Sequence, residues 1–381
     1  MFTNDKKRLA VIPSDSIKGY LSCGYGERWL EEYYNPCKFF DEVYLLSPLE
    51  DNSPNLLGMK AIRTEAKELK GRLRELNIDI VRAYGGYWAC DMACKNKIRG
   101  VPVVVSVHDT NPEKLFKSIK RADAVFCMSA AVRDLVLTKK RNNEKVWILP
   151  NRINFDEMRP FARESLSDLE EKFPFQFRIL HVGRKRVEKN LDTVIKALKF
   201  LGKEYCLIAV GRGAKDVYLK LAEDIGVLEN CFFIDVIRND ELAQYYSFAS
   251  CLCNPSRWEG FGIVFIEALA CESVVVTSDI APMNEYIRHM DNGLLVKDYE
   301  SPEALAEVIK LGCGNEEIRG RIKKSARKSV ERFEQRRIDN LEANYYERIM
   351  EMKMQGEFLG GSKYGLRSVV EQLGKVIIGQ R

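Results

Sequence analysis

The chain has 381 residues, 46% of them hydrophobic, which is enough for two cores of ordinary domain size and too apolar throughout for a disordered chain. Its formal charge of +5 is uneven: residues 1–160 hold 27 Lys and Arg against 21 Asp and Glu, a basic half suited to an anionic surface or partner but too mildly basic, and too free of binding motifs, for nucleic acid. No apolar run approaches the roughly 20 residues of a spanning helix. The 11 cysteines lie scattered in apolar runs without a CxxC pair, as in a reducing cytoplasm, and three histidines with no Asp-x-Asp triplet leave little for a metal site.

The first half alternates short apolar runs with helical patterns. Leu9–Ile12 fits a first strand better than a signal peptide. Val43–Leu46, Ile80–Ala83, Val103–Val107, Ala124–Cys127 and Val146–Leu149 follow as strands, and Lys60–Leu76 reads as a helix with Ile62, Ala66, Leu69 and Leu73 on one face. Such alternation predicts a parallel sheet wrapped in helices, with ligands at the carboxyl ends of the strands. The loop after the first strand carries Ser22-Cys23-Gly24-Tyr25-Gly26-Glu27, where Gly24 and Gly26 either make a tight turn or bring backbone to a phosphate or sugar. The third strand runs into Ala83-Tyr84-Gly85-Gly86-Tyr87-Trp88, whose Tyr84 and Tyr87 suit stacking on a sugar or acceptor. The fourth ends at His108, either a core histidine or a cleft residue. Pro112 is expected to open a helix with Leu115, Phe116 and Ile119 on one side and Lys114, Lys117, Lys120 and Arg121 elsewhere; a solvated face is the plain reading and a membrane-surface contact the sharper one.

Pro150-Asn151-Arg152-Ile153-Asn154 and the polar stretch through Pro174 read as the join between two units. Strand and helix patterns then resume, with strands at Phe177–Val182, Cys206–Val210, Cys231–Ile234, Cys251–Cys253 and Val274–Thr277. After the first comes Gly183-Arg184-Lys185-Arg186-Val187-Glu188-Lys189, a cationic loop built for a diphosphate: Arg binds bidentately and Lys adds a point charge. Residues 254–270, NPSRWEGFGIVFIEALA, hold a turn and then a helix that is apolar on every side but one. The exception is Glu267, costly to bury unless something hydrogen-bonds it, either a ligand or a buried Arg. Glu259 sits in the loop before the helix, where unpaired N–H groups favour anions, and Gly260 and Gly262 would let that backbone approach a ligand. Helices are expected at Pro302–Leu311, from Glu316 onward and at Arg337–Met354, and Leu366–Ile378 is an amphipathic piece for the first domain or a membrane.

Glu259 and Glu267, with seven residues between them around Glu-Gly-Phe-Gly and after Pro255-Ser256, resemble the E-x7-E signature of retaining GT-B glycosyltransferases, most closely glycosyltransferase family 4. Gly183 to Lys189 resembles that family's G-R-x4-K, Val210-Gly211-Arg212-Gly213 its V-G-x-G, Val107-His108-Asp109 its V-H-D, and the linker its P-N-G-V-D with Arg152 in place of Gly. Two stretches depart from it: Asp235 stands before Val236 and Ile237 where Gly is usual, and Ala281–Glu285 differs from G-x-P-E. The resemblance implies an α/β GT-B fold: two Rossmann-like parallel-sheet domains facing a central cleft, an acceptor-binding domain at 1–155, a nucleotide-sugar domain at 175–336, and a closing helix at about 337–381 packed back on the first.

It further implies donor binding by Gly24, Gly26, Gly183, Arg184, Lys189, Gly211, Val236, Ile237, Glu259, Gly260, Phe261, Gly262, Ile263 and Glu267. Catalytic parts fall to Glu259, Arg184, Lys189 and His108, and acceptor contacts to Tyr84, Tyr87 and His108. Arg184 and Lys189 would stabilise charge on the departing diphosphate, where it grows in the transition state. No metal and no cofactor is expected beyond the nucleotide-sugar co-substrate. The other partners are a glycan or lipid-linked acceptor and no nucleic acid; the location is cytoplasmic, with peripheral contact at the inner membrane face as the sharper alternative. A sugar-nucleotide epimerase, a glycosyl phosphorylase and a silent donor-binding subunit are the competing readings.

Overall fold

The computed structural model describes residues 6–140 and 143–358. Its first sheet takes β1 (Arg8–Ile12), β2 (Glu42–Ser47), β3 (Ser53–Leu56), β4 (Met59–Arg63), β5 (Ile80–Tyr84), β6 (Val103–Val107), β7 (Ala124–Cys127) and β8 (Val146–Ile148) in the order β3-β4-β2-β1-β5-β6-β7-β8. Every pairing is parallel except the β3–β4 hairpin. The second sheet takes β9 (Phe177–Val182), β10 (Tyr205–Val210), β11 (Cys231–Ile234), β12 (Cys251–Asn254), β13 (Val275–Ser278) and β14 (Leu294–Val296) in the order β11-β10-β9-β12-β13-β14, all parallel. The central strands β5, β6 and β10 are buried along their whole length. That is why β10 appears in the sequence as a continuous apolar run, β6 is broken only by Ser106 and β5 only by Arg82: helices cover both faces.

The closing helix, Gln335–Met354, returns to the first sheet, where Ile338, Tyr346 and Ile349 enter a core with Leu9, Tyr84 and Phe126. Charges accompany the apolar face. Arg152 of the join donates to Asp339 and Glu342 of this helix, and Glu342, fully buried, also lies 3.3 Å from Arg82. The Arg82 guanidinium rests on the ring of Phe126 at 4.0 Å. Ile153 exchanges backbone hydrogen bonds with Phe333 and Gln335, so the two chain crossings are tied together.

Three expectations need correction. Lys60–Leu76 is not one helix. Met59–Arg63 alternates buried and exposed positions and pairs with β2, and the helix starts only at Leu69. Strand β3 went unrecognised because Pro54 speaks against a strand and its hairpin turns on Leu57-Gly58, both at positive φ, with Leu in a place that usually falls to Asn or Asp. Pro112–Arg121 forms two short 3₁₀ turns, Pro112–Lys114 and Lys117–Arg121, separated by an extended Phe116 whose N–H bonds Gly86. This tether holds Leu115 and Ile119 in the core without a continuous helix. The stretch Leu366–Ile378 lies outside the described residues. Among those described, no helix is long and apolar enough to cross a membrane.

Candidate active site

The carboxyl ends of β9, β10 and β11 face the loop after β1, and between them lies a cavity of about 390 Å³. The first half of the chain contributes Ser14, Tyr20, Cys23, Gly24, Tyr25 and Tyr87 to its wall. The second contributes Gly183, Arg184, Gly211, Arg212, Asp235, Val236, Ile237, Asn239, Ile263, Val264 and Glu267. Gly24 sits at the seam. Its φ is +93°, its carbonyl accepts from Asn239 N–H at 3.3 Å, and a Cβ there would stand 3.0 Å from the Ile237 carbonyl oxygen. Gly26 is not in the wall; it precedes the helix Glu27–Tyr34 and has an ordinary negative φ.

Glu267 occupies the second turn of the helix Ile263–Ala270, whose side chains from Phe265 onward are all buried. It is only 6% exposed and touches the cavity wall, and its Oε2 accepts from the Tyr246 hydroxyl at 2.8 Å. The partner is thus a tyrosine from the neighbouring helix Asn239–Phe248 rather than a buried arginine. Burial raises the carboxyl pKa to about 7, and the Tyr246 bond holds it back from rising further. Such a group is ready to accept hydrogen bonds from a hydroxylated ligand and pays a penalty without one.

Glu259 is held differently. Its Oε1 accepts from Lys189 Nζ and from Ser256 Oγ at 3.0 Å. Its backbone carbonyl accepts from Thr110 Oγ1 at 2.8 Å, and the Gly260 carbonyl accepts from Ser129 Oγ at 2.8 Å. The loop is therefore pinned to the end of β6 and to the start of the helix Ala130–Lys139. A Cβ on Gly260 would fall 1.7 Å from the His108 carbonyl oxygen, so a contact within the protein already demands this glycine. Phe261, expected among the donor-binding residues, has an enclosed ring. It is buried against Tyr286 and Phe333, each 5.3 Å away between centroids, which leaves only its backbone for a ligand. Gly262 caps the helix at its start.

Arg184 is exposed at the cavity wall, whereas Lys189 points to Glu259. Lys185, between them, is a structural residue: it is 5% exposed, and its ammonium donates to the carbonyls of Gly211 and Ile234 at the ends of β10 and β11. His108 is partly buried, and its Nε2 is enclosed. Burial, reinforced by Arg82, lowers its pKa to about 4, so the imidazole is neutral near pH 7. Tyr84 is corrected: its ring is 2% exposed, enclosed by Tyr33, Tyr34 and His108, and cannot stack on an acceptor. Tyr87 does reach the cavity. The reading of the sequence missed Tyr246, Tyr25 and Arg212. The last two lie inside glycine motifs already singled out; nothing local marks Tyr246, which reaches Glu267 from another helix.

The profile of "Glycosyltransferase Family 4" matches residues 37–157 and that of "Glycosyl transferases group 1" matches residues 164–329. The chain thus carries two glycosyltransferase domains, the first of the family 4 kind and the second of the group 1 kind. An uncharacterized glycosyltransferase of Methanocaldococcus jannaschii is 29% identical over 215 residues, 55% of this chain and 54% of that one. The match thus spans about half that relative's length. The O-antigen chain mannosyltransferase of Salmonella typhimurium is 29% identical over 54% of this chain and 59% of its own. In structure, Anabaena HepE in complex with UDP-glucose superposes with a TM-score of 0.75 at 17% identity, covering 91% of this chain and all of that one. The architecture is accordingly GT-B.

Proposed function

We propose that this protein transfers a glycosyl group from a nucleotide-diphosphate sugar to a hydroxyl of a glycan or lipid-linked acceptor, without a metal and with retention of configuration, in the making of a glycan, polysaccharide or glycolipid. The observation that carries this reading is the buried Glu267 carboxyl at the wall of a cavity shared by both sheets, with the exposed Arg184 on the same wall. Ribose hydroxyls would donate to Glu267. Arg184 would take the diphosphate, joined by Lys189 once it exchanges its bond to Glu259 for one to phosphate. Glu259, then freed, would accept from a hydroxyl of the donor sugar. The neutral His108 and Tyr87 would border the sugar and acceptor. The separation of charge in the transition state falls on the leaving diphosphate, where the two cations act most strongly. With Glu259 tied to Lys189 and Ser256, and Glu267 to Tyr246, the carboxylates serve as hydrogen-bond acceptors. The glycosidase scheme of two carboxylates flanking the scissile bond is not transferred.

Calorimetry with a nucleoside diphosphate tests the assignment. Glu267→Gln should lose affinity by roughly 1.5–3 kcal/mol, the value of a hydrogen bond to a charged group. Glu259→Gln should keep that affinity and lower kcat instead, since its contact tightens as the sugar moves away from the diphosphate. The reverse pattern would mean the two roles are exchanged, and no change in either variant would reject the site.

A further inference from the structure

At the amino-terminal end of the second sheet's strands, beside the start of β9, lies another concave site of about 440 Å³. Ile179, Leu180 and His181 of β9 lie between Arg178, which lines this site, and Val182, which lines the cleft, about 13 Å along the strand, and the two cavities share no lining residue. Four cations line it, Arg163, Arg178, Arg319 and Lys323, against one carboxylate, Glu170, which is already bonded by Arg163 at 2.8 Å. Arg319 and Lys323 stand four residues apart on the helix Glu316–Val330, where like charges repel. Arg327, the next residue on the same stripe, shows how this helix settles a buried cation: its guanidinium donates to the carbonyls of Phe155 at 2.9 Å, Met158 at 2.7 Å and Ala270 at 2.5 Å.

Neither of the other two is treated so. Arg319 reaches the Cys313 carbonyl at 3.3 Å, and its Nε is buried without a partner. Lys323, half-buried, has no hydrogen-bond or ion-pair partner among the described residues. Burial and then Arg319 lower its pKa, opposed by Glu272 from beyond ion-pair distance. Arg178 lies over the Phe248 ring at 4.6 Å and bonds the Phe173 carbonyl at 3.2 Å, which leaves the rest of its guanidinium for a ligand. Four cations in a polar hollow with one carboxylate, itself paired to Arg163, are offset by a multiply charged anion that accepts from several of them at once.

We propose that this cavity is a second binding site, for a phosphoryl group, carried either by a sugar monophosphate or by inorganic phosphate, and distinct from the cleft. Isothermal titration of the full chain with inorganic phosphate and with a hexose monophosphate, against chloride at matched ionic strength, tests it. Saturable binding is expected, and it should persist when the cleft is filled with a nucleoside diphosphate. The Arg319→Gln/Lys323→Gln pair should weaken it by roughly tenfold or more. Without anion, Lys323→Gln should melt above the parent protein, because it removes a repelled, half-buried charge; a lysine serving only as solvated surface would not move the melting point. Should the double variant fail to fold, Arg163→Gln, whose side chain is exposed, should weaken binding by a smaller factor. Tighter binding of the hexose monophosphate assigns the site to a phosphorylated sugar, and equal binding to free phosphate. Absence of saturable binding, full displacement by the nucleoside diphosphate, or unchanged affinity in the double variant overturns the proposal.

Discussion

Glu267 concentrates the chemistry of the site in one ionisable group. With its pKa raised to about 7, the carboxyl of the free protein is largely protonated on the acid side of that value, while a ribose hydroxyl needs it as an acceptor. Nucleoside diphosphate affinity should therefore rise with pH through about 7, by up to about tenfold per unit on the acid side, and level off above. Titrations of Glu267→Gln separate this from the phosphate's own ionisation; the variant should bind weakly and lack the Glu267 contribution. Stability runs the other way. The folded protein retains a proton that the unfolded chain releases from about 4.5 upward, so the contribution of this group falls as pH rises from about 4.5 to about 7 and is level outside that window. Thermal melts of parent and variant across the window check this: only the parent should show the fall. At this scale the sequence displayed the carboxylate in an apolar helix but not its partner, because Tyr246 is 21 positions away on a neighbouring helix. Gly260 is the converse: the glycine is plain to see, yet what crowds it is the His108 carbonyl, 152 positions earlier in the chain.

Among elements, the closing helix carries the heaviest structural charge. Glu342 is buried between Arg152 and Arg82, and it also accepts from the Tyr346 hydroxyl at 3.0 Å. Removing it strands the buried Arg82 guanidinium and leaves Arg152 with Asp339 alone. Glu342→Ala is expected to lower unfolding stability by about 3–5 kcal/mol, measured by urea denaturation. A loss under about 1 kcal/mol would mean that solvent already reaches these charges. The same network accounts for Arg152 in the join, since the side chain ties the join to this helix. Strands buried on both faces were legible as largely apolar runs, whereas the edge strand β3 and its neighbour β4 were not: exposure mixes polar residues into them, and only their neighbours reveal the period of two. The strap Pro112–Arg121 is no helix, but it leaves Phe116 39% exposed beside the exposed Lys117, Lys120 and Arg121. We propose that this face touches anionic lipid. Each cation contributes about 1 kcal/mol at most, and salt screens it. Liposome flotation should show binding to anionic vesicles that salt reverses; equal binding to neutral vesicles, or none to either kind, rejects it.

For the whole molecule, the order of strands and helices sufficed to predict two parallel sheets, because a βαβ alternation has few other solutions. That the two sheets share one cavity could not be read from periodicity. It depends on contacts such as Gly24 with Ile237 and Ser129 with Gly260, which join residues more than a hundred positions apart. The resemblance in two short motifs supplied that arrangement in advance. What the cavity does is tested most directly by incubating the full chain, in EDTA, with a panel of nucleotide sugars and following the products by NMR. One donor should be hydrolysed slowly, releasing nucleoside diphosphate and, first, the sugar anomer that matches the donor, and an added acceptor should speed the release. An inverted first anomer, interconversion of sugar nucleotides without release, activity that appears only on adding Mg²⁺ or Mn²⁺, or tight binding of a donor with no turnover would contradict a metal-independent, retaining transferase.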